Sequence, residues 1–237
     1  RYLAGLCLLL LPLRFCLAGE DLITSATTPG GDPVPYILNT ASAAPKYVVI
    51  LFPGGNGVVD PHWEGSKLAY RLQGNFLLRS RPFLVDEEFA TVTTNSSQVK
   101  ERIQAILDDL KGRFPTAQVY LMGTSKGTFD TLALAPYLSE RIAGEIHTSS
   151  VAAIADLDPQ QYRNRQLVVH HRSDTCRTTP YTAAQRSHDR YGTEFIAMEG
   201  GISVGDPCEA FAHHGYNGVE QETMAAIKAW IKRGGGG

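Results

Sequence analysis

The sequence lacks several features that would each indicate a class of protein. No segment carries a dense run of Lys or Arg, and 22 basic side chains against 24 acidic ones give the 237 residues a formal net charge of -2. This balance excludes the electrostatic surface that nucleic-acid binding requires, so we expect a small-molecule partner and no nucleic acid. The chain also has no internal repeat, Pro-rich linker or shift in composition, which predicts a single domain.

The N-terminal hydrophobic run is too short to cross a bilayer. Tyr2–Leu13 follows a single basic residue and precedes a small residue, Ala18, at a position that a signal peptidase reads. We therefore predict a signal peptide over residues 1–18, with an uncleaved N-terminal anchor as the alternative. The prediction is a secreted or periplasmic domain over residues 19–233 with no stable membrane span after cleavage. The glycines at 234–237 are interpreted as a disordered tail or an expression scar.

The sequence does have an alternation of strand-like and helix-like segments. Leu22–Thr28 and Val34–Leu38 flank a cluster of turn-forming residues and predict an antiparallel hairpin. The unbroken apolar run Tyr47–Phe52 is typical of a strand buried on both faces of a parallel sheet. The later alternation predicts β-α-β units on a mostly parallel sheet. Its predicted strands are Phe89–Thr93, Gln118–Met122, Glu145–Val151, Gln166–His170 and Glu194–Met198, and its predicted helices are Gln98–Phe114 (capped by Ser96 or Ser97), Lys126–Leu138, Tyr181–Tyr191 and Val219–Lys232.

The run Gly123-Thr124-Ser125-Lys126-Gly127 predicts a catalytic nucleophile at Ser125. A predicted strand leads into the run and a predicted helix leaves it, which is the strand-turn-helix setting that Gly-x-Ser-x-Gly requires. The glycines at 123 and 127 would avoid collisions in the tight turn that presents the hydroxyl. A plain glycine-rich turn with a helix-capping side chain is the alternative.

A second glycine-rich segment predicts an oxyanion hole. Gly54-Gly55-Asn56-Gly57 follows the strand Tyr47–Phe52 and lets backbone approach a ligand closely. Acyl transfer requires two preorganised donors, and we expect the amide of Lys126 to be one of them. The other is assigned to the amide of Asn56 or Gly55, and an ordinary turn is the alternative.

A serine hydroxyl is nucleophilic only when an oriented base takes its proton. Asp174 follows the strand predicted at Gln166–His170, at the end where such sheets hold ligands, and is the candidate acid. Asp156 and Asp158 precede that strand and are interpreted as turn residues. We prefer His214 as the base because the glycine after it gives the loop conformational freedom, and we keep His213 in reserve.

Cysteine is scarce, and its placement adds to the site. Cys7 and Cys16 fall within the predicted signal peptide, which leaves Cys176, two residues after Asp174, and Cys208, six residues before His214. Because an exported chain meets an oxidising environment, we predict a disulfide between the remaining pair that holds the two loops in register. Two buried free thiols are the alternative.

A metal site is not predicted. The adjacent pairs His170-His171 and His213-His214 do not match the usual spacing of zinc ligands. The first pair is interpreted as a strand-end residue and a residue that contacts the site from behind.

With these residues assembled, the chain resembles secreted bacterial α/β hydrolases of the dienelactone-hydrolase-like or esterase/lipase-like kind. The resemblance runs over Leu22 to Lys232 and is carried by Phe52-Pro53-Gly54-Gly55, the Gly123–Gly127 run, Asp174 with Cys176, and Cys208–Gly215. It implies the α/β-hydrolase fold, with about eight strands in a mostly parallel sheet and helices on both faces. It also implies a Ser-His-Asp triad and cofactor-free hydrolysis of carboxyl esters or related acyl bonds through an acyl-enzyme.

The sequence departs from this resemblance in two ways. Lys126 occupies a position that is often uncharged, and the segment Ala152–Arg165 is too short to be an inserted lid domain. Two other functions stay open: an acyltransferase or a peptidase-like amidase on the same triad, and a non-catalytic binding protein on the same fold. Lys126 also gives the hypothesis of a preference for anionic or polar substrates, against the alternative of a solvent-facing side chain.

Overall fold

A computed structural model describes residues 19–234. The predicted signal peptide and residues 235–237 lie outside this range, whereas Gly234 ends the last helix. The strands of the described chain are β1 (Glu20–Thr27), β2 (Pro33–Thr40), β3 (Tyr47–Phe52), β4 (His62–Glu64), β5 (Lys67–Ala69), β6 (Phe89–Thr94), β7 (Gln118–Thr124), β8 (Gly144–Thr148), β9 (Arg165–His171) and β10 (Glu194–Met198). The α-helices are α1 (Phe76–Leu84), α2 (Lys100–Arg113), α3 (Gly127–Leu138), α4 (Tyr181–Tyr191) and α5 (Glu220–Gly234).

Eight strands form the central sheet, in the order β1-β2-β6-β3-β7-β8-β9-β10. β2 pairs antiparallel with β1 and with β6, and the strands from β6 to β10 in this order are all parallel. The mostly parallel eight-stranded sheet confirms the prediction. Because the carboxyl ends of parallel strands lie at the same end of the sheet, the loops after β3, β7 and β9 meet there.

Helices cover both faces of the sheet, as predicted. On β3, Val49 and Leu51 pack in the same cluster as residues of α1 and α5, whereas Val48 and Ile50 pack with residues of α2 and α3. Alternate side chains of a strand point to opposite faces, so a strand with no polar position is buried on both sides. α4 packs over Val168 of β9.

The helix α1 and the small hairpin formed by β4 and β5 were not predicted. The Asn75 side chain accepts a hydrogen bond from the Leu77 amide at 3.1 Å and caps α1. Pro82 lies inside this nine-residue helix and ordinarily argues against one. Burial of Phe76 and Leu84 against the sheet stabilises the helix in spite of the proline.

Most predicted boundaries differ from the observed ones by two residues or fewer, and two predictions at element ends were wrong. The N-cap of α2 is Val99 and not Ser96 or Ser97, although the Ser97 hydroxyl accepts a hydrogen bond from the Val99 amide at 3.2 Å. β8 ends at Thr148, before the predicted end at Val151, because Ser149 has a left-handed φ of 42° that strands do not adopt. Within residues 19–234 no helix is long and apolar enough to cross a membrane, and no separate lid domain is inserted.

Candidate active site

Ser125 lies on the turn between β7 and α3. Its backbone has a left-handed φ of 51°, and its amide donates to the carbonyl of Thr148 on the neighbouring strand at 3.1 Å. A β-carbon at Gly123 would lie 2.6 Å from the carbonyl oxygen of Gly127, and one at Gly127 would lie 2.4 Å from that of Phe52. Both positions therefore require glycine, and the turn holds the serine in a conformation that non-glycine residues rarely adopt.

The glycine loop after β3 runs directly against this turn. A β-carbon at Gly54 would lie 2.9 Å from that of Ser125, so only glycine permits the approach. The amides of Gly55 and Lys126 donate no hydrogen bond to any residue in the described range. Gly55 lines the same cavity as Ser125 and also a neighbouring cavity, which is lined by Asn56 and Lys126 as well.

Asp174 follows β9 and is buried, with hydrogen bonds on both carboxylate oxygens. Its Oδ2 accepts from His214 Nδ1 at 3.0 Å and from His170 Nε2 at 3.1 Å, and its Oδ1 accepts from the Cys176 amide at 2.9 Å. Burial acts to raise the pKa of Asp174, but the donors on His170 and His214 outweigh it and lower the pKa to about 2. The carboxylate is therefore ionised at neutral pH.

His214 is held in place from several directions. The Ser149 hydroxyl donates to the His214 carbonyl at 2.6 Å, and Arg79 Nη2 donates to the carbonyl of Gly215 at 2.6 Å. A β-carbon at Gly215 would lie 1.9 Å from the carbonyl oxygen of Ala210. The glycine is thus required for space, not for the conformational freedom expected from the sequence.

The other candidate acids and bases lie elsewhere. The ring of His213 stacks on that of His171 with centroids 4.5 Å apart. Burial lowers the pKa of His171, whose ring Nε2 donates to a backbone carbonyl. Asp156 is exposed in a 3-10 turn, and Asp158 caps the next such turn. Residues 19–234 contain no group of three or more His, Cys, Asp or Glu side chains placed to hold a metal ion.

The site opens on a cavity of about 380 Å³. Ser125 and His214 both line it, and Phe211 on its wall is half exposed. Its volume is at the lower end of the range for small-molecule sites. The remaining lining residues are mostly small or apolar: Gly54, Gly55, Leu72, Gly74, Asn75, Phe76, Thr124, Cys208, Glu209, Ala210 and Gly215.

The predicted disulfide is present. Cys176 and Cys208 are bonded across 32 positions of sequence, and the alternative of free thiols was wrong. Cys176 is buried and its amide binds Asp174, whereas Cys208 is exposed and lines the cavity. The bond therefore joins the loop that carries Asp174 to the loop that leads into His214.

Comparisons with known proteins identify the fold. No protein-family model matches the chain, and no curated protein matches its sequence. An α/β serine hydrolase without a lid from Xanthomonas campestris is similar with a TM-score of 0.60 at 13% identity, over 89% of this chain and 95% of that one. An esterase domain of a Rhodothermus marinus protein gives 0.61 at 12% identity over 90% and 98%. A cold-adapted esterase from an Arctic intertidal metagenomic library gives 0.62 at 13% identity over 92% and 94%. The chain has the α/β-hydrolase fold.

Two side chains hold the loop of His214 in place but have no sequence signal of their own. Arg79 of α1 donates to the loop of His214 and also pairs with Glu220 of α5 at 2.9 Å. Tyr216 donates its hydroxyl to the Val169 carbonyl at 2.8 Å and fixes the same loop to β9. α1 itself was not predicted, so nothing in the sequence connected Arg79 with a histidine far along the chain.

Proposed function

We propose that the protein is a serine hydrolase that cleaves carboxyl esters through Ser125, His214 and Asp174. One observation carries the proposal: His214, on the cavity that also contains Ser125, is hydrogen-bonded through Nδ1 to a buried, ionised aspartate. With Nδ1 donating to the carboxylate, the Nε2 lone pair is available to accept a proton. This is the arrangement that turns a serine hydroxyl into a nucleophile.

In the proposed mechanism, His214 Nε2 takes the proton from the Ser125 hydroxyl as the oxygen attacks the ester carbonyl. Asp174 stabilises the imidazolium that forms, and it stays ionised throughout because its pKa is low. His214 then gives its proton to the departing alcohol, which leaves an acyl group on Ser125. Water, activated by the same histidine, releases the acid in the second half of the reaction.

The negative charge on the carbonyl oxygen requires two donors. We assign the amides of Lys126 and Gly55, since both are without acceptors in the described chain. Lys126 directly follows Ser125, and Gly55 directly follows Gly54, which packs against the turn of Ser125. Gly55 is preferred to Asn56 because it lines the cavity of the serine. Preorganised amides of this kind stabilise a tetrahedral intermediate without reorganising during the reaction.

We also propose that the protein works outside the cytoplasm, as a secreted or periplasmic enzyme. The disulfide between Cys176 and Cys208 supports this proposal because such bonds persist in oxidising compartments. Its proposed substrate is a small-molecule ester, in keeping with the size of the cavity.

Labelling with a fluorophosphonate probe tests the proposed function. We expect the wild type to be labelled and to hydrolyse p-nitrophenyl acetate, and we expect Ser125→Ala to do neither while remaining folded. Added alcohols or amines report on the acceptor, since transfer of the acyl group to them in preference to water would indicate an acyltransferase. A folded wild type that is neither labelled nor active would favour a binding protein and contradict the proposal.

A further inference from the structure

A second histidine binds the proposed catalytic aspartate, and the mechanism above does not use it. His170 is the penultimate residue of β9 and is 0% exposed. Its Nε2 lies 3.1 Å from Asp174 Oδ2 and 3.0 Å from the carbonyl oxygen of Thr179. Both neighbours are acceptors, so Nε2 carries a hydrogen and donates it.

The surroundings of the other ring nitrogen, Nδ1, determine the charge of the His170 ring. Nδ1 of His170 is buried and has no hydrogen-bond partner among residues 19–234. A proton there would be a buried donor without an acceptor, which is costly, so the ring is neutral. The ring of Tyr181 from α4 lies perpendicular to the His170 ring, with the two centroids 5.9 Å apart. His170 thus gives the carboxylate a hydrogen bond without neutralising its charge.

We propose that His170 is a positioning residue for the reaction: its Nε2–H shares Asp174 Oδ2 with His214 and fixes the carboxylate in the orientation that His214 requires. The proposal rests on the proposed function of the site. The proposed role predicts two physical consequences of losing His170. The carboxylate would be less well oriented, and its remaining negative charge would act more strongly on His214.

The second consequence predicts the direction in which the pH dependence of the reaction shifts. Burial acts to raise the pKa of Asp174, and the donors on His170 and His214 lower it. With one donor removed, the carboxylate becomes more basic and holds a protonated His214 more tightly. The acidic limb of the pH dependence, in which His214 must lose its proton to act as a base, therefore shifts to higher pH.

Other titratable and charged groups surround this cluster without binding the Asp174 carboxylate. Burial raises the pKa of Tyr216 and lowers the pKa of His171, so both rings are neutral near pH 7. The others include Tyr181 on α4 with Arg172 over its ring, His213 stacked on the His171 ring, Glu209 on the cavity wall, and Arg79 at the Gly215 carbonyl. None of these makes a hydrogen bond to either oxygen of Asp174 within residues 19–234.

Three variants separate positioning from general stability. His170→Leu removes the donor at similar size, and His170→Gln places an amide N–H where Nε2 lies. Val168→Ala is the matched control, because this buried residue lies on the same strand and the same face two positions earlier. The pH dependence of the fluorophosphonate labelling rate is measured for each, together with kcat and KM for p-nitrophenyl acetate.

We expect His170→Leu to lower kcat about tenfold with little change in KM. We expect the midpoint of its acidic limb to rise by about half a pH unit or more. His170→Gln should restore both values to within about twofold of the wild type, because it keeps the donor. Val168→Ala should lower the melting temperature without moving the midpoint.

A folded His170→Leu with the midpoint and kcat of the wild type would overturn the proposal, as would a folded His170→Gln as impaired as the leucine variant. Failure of the proposed function looks different, since the wild type itself would not be labelled. In that case an NMR titration of the His214 ring still decides the point. Equal midpoints in the wild type and His170→Leu would show that His170 does not act on Asp174 and His214.

Discussion

Two buried clusters in this molecule combine a carboxyl group with histidine, and they differ in charge. At the carboxyl end of β9, Asp174 accepts hydrogen bonds from His170 and His214. On β8, Glu145 lies 3.9 Å from His147, and both side chains are fully buried. The residue types are nearly the same, but the donors around the two carboxyl groups are not.

Donors decide the charge of each carboxyl group. Asp174 receives three hydrogen bonds at 3.1 Å or less, which outweigh burial and lower its pKa to about 2. Neither carboxyl oxygen of Glu145 makes a hydrogen bond of normal geometry among the described residues. Burial outweighs the neighbouring amides of Asn164 and Gln166, which act to lower the pKa of Glu145, and raises it to about 8. Burial also lowers the pKa of His147 to about 4. At neutral pH this second cluster therefore holds no ion pair.

The comparison teaches that a carboxyl-histidine pair in the interior is not by itself a catalytic device. His147 is fixed by Thr131 and Gln166 at 2.8 and 2.9 Å, inside the layer between the sheet and α3. His214 instead lines a cavity, and the Asp174 carboxylate that is hydrogen-bonded to its ring is charged. The proposed catalytic cluster differs from the structural one in two ways. It lies at the carboxyl end of the parallel strands, and several hydrogen-bond donors converge on its carboxylate.

The largest effect should come from replacing the carboxyl group of each cluster in turn with an amide. Asp174→Asn should lower kcat for an ester substrate by about 10⁴-fold, because the amide cannot stabilise the imidazolium of His214. Glu145→Gln replaces a neutral acid with a neutral amide and should leave kcat within about twofold of the wild type. Both variants are first checked for folding by circular dichroism. Similar losses in the two would remove the distinction between the clusters.

Glu145 should instead control stability. Between pH 4.5 and about 8, the folded chain keeps a proton on Glu145 that the unfolded chain has released. The contribution of Glu145 to the free energy of unfolding therefore falls as the pH rises through this window, by about 5 kcal/mol in all. Glu145→Gln should lack this fall. Urea unfolding at pH 5 and pH 8 measures it, and equal pH dependence in variant and wild type would contradict the neutral buried acid.

The disulfide belongs to only one of the two clusters. Reducing the bond that closes 32 positions of chain should lower the free energy of unfolding by about 3 kcal/mol. Because the bond joins the loops of Asp174 and His214, we expect the labelling rate of Ser125 to fall in parallel. The double variant Cys176→Ser/Cys208→Ser should already show both losses and should not respond to a reductant. Reduction that leaves labelling and melting temperature unchanged would contradict this role.

The smallest effect concerns Lys126, at the open side of the proposed catalytic cluster. Its side chain is exposed and lines a cavity that shares Gly55 with the main one and also contains Asp130. Lys126→Met should lower the ratio of kcat/KM for an anionic over a neutral ester by about threefold, and added salt should reduce the difference. Lys126→Arg keeps the charge and is the control. An unchanged ratio would mean that the side chain only faces solvent.

Local signals were enough to predict much of the fold and part of the site. β3, α4 and β10 have the predicted bounds, because an unbroken apolar run or a clear period marks each segment. The place of Asp174 directly after a predicted strand selected it as the acid, and in the structure its carboxylate is hydrogen-bonded to His214.

The rest depends on contacts between distant segments. α1 contains a proline and is stabilised by packing, and its Arg79 meets Gly215 only because the chain folds back over 136 positions. His170 was interpreted as a strand-end residue, because no sequence pattern shows that the loop after β9 brings Asp174 within hydrogen-bonding distance of the His170 Nε2. Whether Glu145 is charged likewise follows from missing donors, which only the packed structure reveals.

Mass spectrometric mapping of the fluorophosphonate adduct tests the central claim most directly. The wild type is labelled at pH 7, digested and sequenced, with Asp174→Asn and Glu145→Gln treated in parallel. We predict a single adduct on Ser125 in the wild type and in Glu145→Gln, and almost none in Asp174→Asn. An adduct on another residue, or a folded wild type with no adduct, would contradict the assignment of Ser125 as the nucleophile activated by His214 and Asp174.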